Sequence, residues 1–188
     1  MTISLYELSV PTFLQTLRAL RGVLARAARH CAETGADPND FVEARLVEDM
    51  APFHFQIEAL WHHAVWGMEA ARTGVFDPPP LRGQMPFADL QATLDRAIQE
   101  LEALDPGEVN RWAGRDFDIV IYRPTEPEHA HRSPWGPQTV ALTPETYLLT
   151  YALPNFYFHV VTAYAILRMR GAPIGKGDYE GDLHVRTA

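Results

Sequence analysis

The sequence contains a single cysteine, Cys31, so no internal disulfide can form, and a reducing compartment is the natural setting. It has no run of about 18 uninterrupted apolar residues, the length a membrane span needs. The opening stretch MTISLYELSVPTFLQTLRALRG lacks a basic start leading into an apolar run and a small-residue cleavage site. It does not read as a secretory signal, and a cytoplasmic location is expected. Basic residues are few and scattered: 16 Lys and Arg stand against 24 Asp and Glu, for a formal charge of −8. That balance argues against a nucleic-acid partner, which would want a basic track, and favours solubility. No glycine-rich phosphate loop follows a strand, and Gly175-Lys176-Gly177 lies in the tail. No Ser/His/Asp or Cys/His arrangement is legible, and there is no internal repeat.

What the chain does have is helical patterning. Its 188 residues, 47% hydrophobic and 21% charged, suit one domain spanning 1–188 with a core of its own. Phe13, Leu17, Leu20, Leu24, Ala27 and Cys31 recur at steps of three and four, which predicts an amphipathic helix closed by Gly35 and Pro38. Ser9 is its expected N-cap, with Pro11 in the first turn. A second helix is expected from Asp49 to Gly74, with Phe53, Ile57, Leu60, Ala64 and Met68 on its apolar face. The segment DPPPL (Asp77 to Leu81) cannot be helical and reads as a stiff connector. A third helix runs from Pro86 to Ala103, stopped by Asp105-Pro106-Gly107.

Residues 115–142 change character. Two short β-branched stretches, around Ile119-Val120-Ile121 and Thr139-Val140, flank a loop rich in Pro and His, which predicts a hairpin with an exposed tip. His129 and His131 in that tip read as a solvated loop. Trp112 and Trp135 are expected to pack the hairpin onto the helices. The last helix opens at Thr143-Pro144 and ends at Arg170-Gly171, with a kink expected at Pro154. The fold class is therefore mainly α: a four-helix bundle with one small β-hairpin before the last helix.

The last helix is apolar nearly all round, except along one line. Tyr151, Asn155, His159 and Thr162 share a face with Ile166. Buried polar groups cost free energy unless they find partners, so this stripe must meet side chains, water, a metal or a ligand. On the second helix Gln56 and His63 share a face, while His62 points toward Glu58, Trp66 and Glu69 and is expected to be exposed. Facing histidines are a usual way to build a site inside a bundle. Three readings stand side by side: a metal on His63 and His159, a pocket lined by these residues without metal, and a purely structural hydrogen-bond network. Cys31, on the apolar stripe of its helix, reads as buried and inert.

The stretch HVVTAYAILRMRGAPIGKGDY (His159 to Tyr179) resembles the end of the DinB/YfiT-like pattern. There, a helix carries two histidines one turn apart, followed by Arg, then Gly and a Pro-containing tail near Asp-Tyr; here these are Arg168, Gly171, Pro173 and Asp178-Tyr179. LPNFYFHVVTAYAILR (Leu153 to Arg168) and SLYELSVPTFL (Ser4 to Leu14) are closer still to one uncharacterised domain-of-unknown-function family within that superfamily. The resemblance implies a bundle with a divalent metal, zinc or nickel, on three histidines, and a hydrolase or a thiol-dependent transferase or isomerase. Carried over by position, the expected ligands are His63, His159 and, at the remaining histidine position, Asn155; Gln56, Tyr151 and Thr162 would line the pocket between the second and last helices. Val160-Val161-Thr162 replaces the Arg-Gly-Gln of the pattern. An amide oxygen is a poor ligand for zinc-like ions. The alternative reading is therefore a non-catalytic small-molecule-binding or interaction protein that has lost the metal triad. A homodimer is expected on either reading.

Overall fold

The computed structural model describes residues 3–125 and 134–183. It is mainly helical. The first helix, α1, spans Leu5–Thr34 and starts earlier than its sequence suggests. Ser4, not Ser9, is the N-cap: its hydroxyl accepts from the Glu7 N–H at 3.2 Å, and the Glu7 carboxylate accepts from the Ser4 N–H at 3.0 Å. Ser9 is buried inside the helix and its hydroxyl donates to the Leu5 carbonyl at 2.6 Å. Pro11 costs the helix one backbone bond without ending it. Gly35, at φ 74°, takes the left-handed conformation that closes α1.

The second helix begins at Phe53, four residues after the expected Asp49. It consists of α2 (Phe53–Trp61), a turn of π-helix (His62–Trp66) and α3 (Gly67–Thr73). The connector then runs through residues 75–86 to α4 (Phe87–Glu102), and a short α5 (Pro106–Arg111) comes next. The last long helix is likewise interrupted. α6 (Pro144–Tyr147) passes through a π turn (Leu148–Ala152) into α7 (Leu153–Met169), and a short α8 (Lys176–Glu180) ends the described chain. Just ahead of Pro154, where a kink is expected, lies this π turn, in which the Leu153 N–H reaches the Leu148 carbonyl five residues back.

α1 packs against α4 and α8, and α2 against α7 and α4. Phe13 meets Phe156 edge-to-face at 5.0 Å, tying α1 to α7. The hairpin pairs β1 (Phe117–Pro124) with β2 (Trp135–Leu142), antiparallel, with Ile119 opposite Val140. Ile119 and Ile121 are buried. Trp112 is buried as expected, but Trp135 is 61% exposed and does not anchor the hairpin. That work falls to Arg115, whose guanidinium donates to the Ala71 and Arg72 carbonyls at 2.8 and 2.7 Å, capping the end of α3. His129 and His131 lie outside the described residues. Among the described residues, no helix is long and apolar enough to cross a membrane.

Candidate functional site

α2 and α7 pack side by side, and a cavity of ≈ 530 Å³ opens against their outer edges. Phe55 and Ala59 from α2 and Phe158 from α7 form its walls. Phe76 and Leu81 of the connector, with Tyr122 and Trp135 of the hairpin, complete them. His62, His63, His159, Tyr151 and Asn155 supply the polar groups. The structure thus brings together four of the six residues expected from sequence: His63, His159, Asn155 and Tyr151.

The other two lie elsewhere. Gln56 is buried behind His159, outside the cavity. Its side-chain N–H donates to the Ala51 carbonyl at 2.9 Å, which turns its amide oxygen toward His159. His159 Nδ1 lies 2.8 Å from that oxygen, so Nδ1 carries the proton and Nε2 keeps the ring's lone pair. Thr162 does not reach the cavity. Its hydroxyl donates to the Phe158 carbonyl, one turn back, at 2.7 Å. Asn155 behaves partly the same way, donating its amide N–H to the Tyr151 carbonyl at 2.7 Å.

His62 corrects the sequence expectation most sharply. It is 7% exposed and lines the cavity, and its neighbour Glu58 is 1% exposed. The connector covers the face of α2 assigned to solvent: the Arg82 backbone N–H donates to the Glu58 carboxylate at 2.6 Å. Also missed from sequence are the cavity's apolar walls from α2, α7 and the connector, and the hairpin's Tyr122 and Trp135. Ile119 and Ile121 fill one face of β1 while Val120 and Tyr122 are apolar on the other. A strand apolar on both faces has two surfaces to cover, and that was the available signal.

Burial sets the electrostatics. Desolvation pushes His63 down to about 3, helped by His159 and His62. Desolvation also lowers His62 to about 4, with Arg82 assisting, and His159 to about 4, with His62 assisting. All three rings are neutral at pH 7. His63 is held in a stack, with Phe76 at 5.3 Å on a 12° interplanar angle and His159 at 5.7 Å on 13°. Tyr151 meets it edge-on at 5.7 Å. His62 Nε2 and His63 Nδ1 are buried without a hydrogen-bond partner among the described residues.

A metal shared by two imidazoles lies on the lone-pair axis of each, and so in both ring planes. The His63 and His159 rings lie 5.7 Å apart with their planes within 13° of each other. Asn155 has its amide N–H engaged and offers only a carbonyl oxygen. Among the described residues, no three His, Cys, Asp or Glu side chains converge as an ion would require. The residues in place do not fit the three-ligand metal centre.

The comparisons agree with this architecture. The family model described as "Domain of unknown function (DUF1993)" matches residues 5–180. The chain belongs to the DUF1993 family. A crystal structure described as a DinB family member protein from Shewanella denitrificans is similar to this DUF1993 protein, with a TM-score of 0.74 at 24% identity. The match covers 98% of this chain and 96% of that one, and it establishes a DinB-like fold. No curated protein matches. The DUF1993 model includes both helices that line the cavity, and the resemblance read at the two ends of the chain holds across the family match.

Proposed function

We propose that this DUF1993 protein binds a small, mainly apolar molecule between its second and last helices, and that the histidines orient it by hydrogen bonding. One observation carries this: His62, His63 and His159, all neutral at pH 7, line an aromatic-walled cavity of ≈ 530 Å³, and His159 keeps the lone pair of its Nε2 because Nδ1 is the nitrogen that meets Gln56. That volume falls in the usual range for ligand pockets, roughly 300–1,000 Å³. General-base catalysis is the weaker reading. A base works best with a pKa near the operating pH, and these rings, at about 3 and about 4, hold their protons too weakly.

The test compares naphthol with naphthalene by calorimetry on the full chain. Naphthol should bind about tenfold tighter, the worth of about one good hydrogen bond. His63→Phe should erase the difference. Equal binding of the two compounds, or none of either, would refute the reading.

A zinc- or nickel-type ion on His63, His159 and Asn155 is the second reading, and with it a degenerate hydrolase or a thiol-dependent transferase or isomerase. It is favoured by one feature, the Gln56 contact to His159 Nδ1, since metal-bound histidines regularly donate their other N–H to such a partner. It requires a third ligand beyond the two imidazoles, since no three His, Cys, Asp or Glu side chains converge among the described residues. Equilibrium dialysis against zinc and nickel, with His159→Ala as control, decides it: stoichiometric uptake lost in the variant would support the ion.

We also propose that two copies pair through α7. Leu149, Phe158 and Val161 are 51%, 58% and 48% exposed, on a stripe where a solvent-facing helix normally carries charge. Residues 146–167 contain no charged side chain, and the run is bounded by Glu145 and Arg168. Antiparallel pairing about a twofold axis would set each copy's Glu145 near the other's Arg168. Sedimentation velocity should show a dimer that Val161→Glu converts to monomer; a wild-type monomer at about 100 μM, far above a micromolar dissociation constant, would end the idea.

A further inference from the structure

Beside the main cavity lies a second, of ≈ 330 Å³, and the two share Tyr122, Trp135, Tyr151 and Asn155 as lining residues. Sharing four residues makes them adjoining compartments of one cleft. Their chemistry differs. The larger is walled by aromatic rings, while the smaller has Arg123 and Thr150. We infer that the ligand is an amphipathic carboxylate, with its apolar body beside His63 and its carboxylate on Arg123 in the smaller compartment. This rests on the binding reading above and adds the chemical class of the ligand.

Several observations carry it. Arg123 stands on β1 opposite Gly136, so the neighbouring strand puts no side chain over it. No carboxylate among the described residues pairs with it, although the chain holds 24 acidic residues. Tyr151 joins the two compartments. Its ring lies 5.7 Å from His63, and its hydroxyl makes no hydrogen bond among the described residues. Burial raises the Tyr151 phenol, and the Arg123 charge pulls it back, so the guanidinium acts on that hydroxyl. A planar carboxylate matches the guanidinium fork and can accept from the phenol as well. A single cation among the described lining residues, in a chain of charge −8, suits a monoanion better than a phosphate dianion, which would want more positive charge around it.

The experiment titrates full-length protein at pH 7 with naphthoate, which is ionised there, and with neutral naphthol. Naphthoate should bind at least tenfold tighter than naphthol. Arg123→Gln should remove that advantage and leave naphthol binding unchanged. Raising the salt should weaken naphthoate several-fold and naphthol hardly at all. If naphthol binds and naphthoate binds no tighter, or if Arg123→Gln weakens both equally, the carboxylate assignment is overturned while the cavity reading stands. If neither compound binds, both readings fall.

Discussion

Replacing His63 by Phe tests the electrostatic account of the cavity most directly. Folded, the buried ring takes a proton only near pH 3. In the unfolded chain it does so near the ordinary value of about 6.5. Between those values the unfolded chain holds more protons, so falling pH favours unfolding. The stability tied to this ring is complete above about pH 6.5 and drains away as pH falls toward 3. At pH 5 the loss is about 2 kcal/mol for His63 alone. His62 and His159, each at about 4, lose a similar amount at that pH. Together they approach about 6 kcal/mol, much of the roughly 5–15 kcal/mol that holds an ordinary domain folded. Phenylalanine keeps the stack with Phe76 and His159 and leaves no unpartnered Nδ1, so at pH 8 His63→Phe should be within about 1 kcal/mol of wild type. Urea unfolding followed by circular dichroism at pH 8, 7, 6 and 5 gives both curves. The wild type should lose about 2 kcal/mol more than the variant between pH 8 and pH 5. Parallel curves would mean that His63 is not held neutral by burial, and the cavity's electrostatics would have to be redrawn.

Substitutions at three further positions test the site and the helix beside it. Gln56→Leu removes the acceptor for His159 Nδ1–H and the donor to Ala51, and should cost about 2–3 kcal/mol in urea unfolding at pH 7.5. Thr162→Val should leave naphthol affinity unchanged, because the hydroxyl serves its own helix; a tenfold loss of affinity would restore Thr162 to the pocket. At Gly67 an added Cβ would sit 3.4 Å from the Ala152 Cβ, an ordinary contact. Gly67→Ala should therefore hold or raise the melting temperature through helix propensity, worth up to about 1 kcal/mol, whereas Gly67→Leu should cost about 1–3 kcal/mol by overpacking.

The helices were legible because their apolar spacing and their glycine stops are local signals, and Gly35 and Gly74 both take left-handed conformations at helix ends. The pairing of His63 with His159 was also legible, from a polar line on an otherwise apolar helix. Part of that line has a purely local explanation. Asn155 and Thr162 each hydrogen-bond a carbonyl one turn earlier, so a buried polar residue at this spacing need not have a partner on another element. What could not be read was which face of α2 the chain would cover. His62 and Glu58 are inside because a connector without regular structure lies over them, held by a backbone N–H that carries no sequence signature. Ser9 misled for a related reason: Ser before a proline looks like a helix start, and only the reciprocal bonds of Ser4 and Glu7 show that the helix has already begun.

The two π turns explain how one helix can serve both the core and the cavity. The Gly67 N–H donates to the His62 carbonyl, five residues back, and the Leu153 N–H to the Leu148 carbonyl in the same way. Each turn carries one residue more than an α-turn, so the residues beyond it are rotated by about 100° from where the α-helical period would put them. His62 and His63 face the cavity, while Met68, Ala70 and Ala71 beyond the turn are buried in the core. The two widened segments meet at one height of the bundle, where Gly67 lies against Ala152 with room for little more than a methyl group between them. Tyr151 belongs to the second π turn and lines both compartments of the cleft. Pro154 comes just after this turn and has no N–H to offer the Thr150 carbonyl. The proline thus stands three residues from the tyrosine that lines both compartments of the cleft. Pro154→Ala restores that donor without touching any group that lines the cleft: altered naphthol affinity in the variant would show that the proline sets the turn carrying Tyr151, and unchanged affinity that it does not.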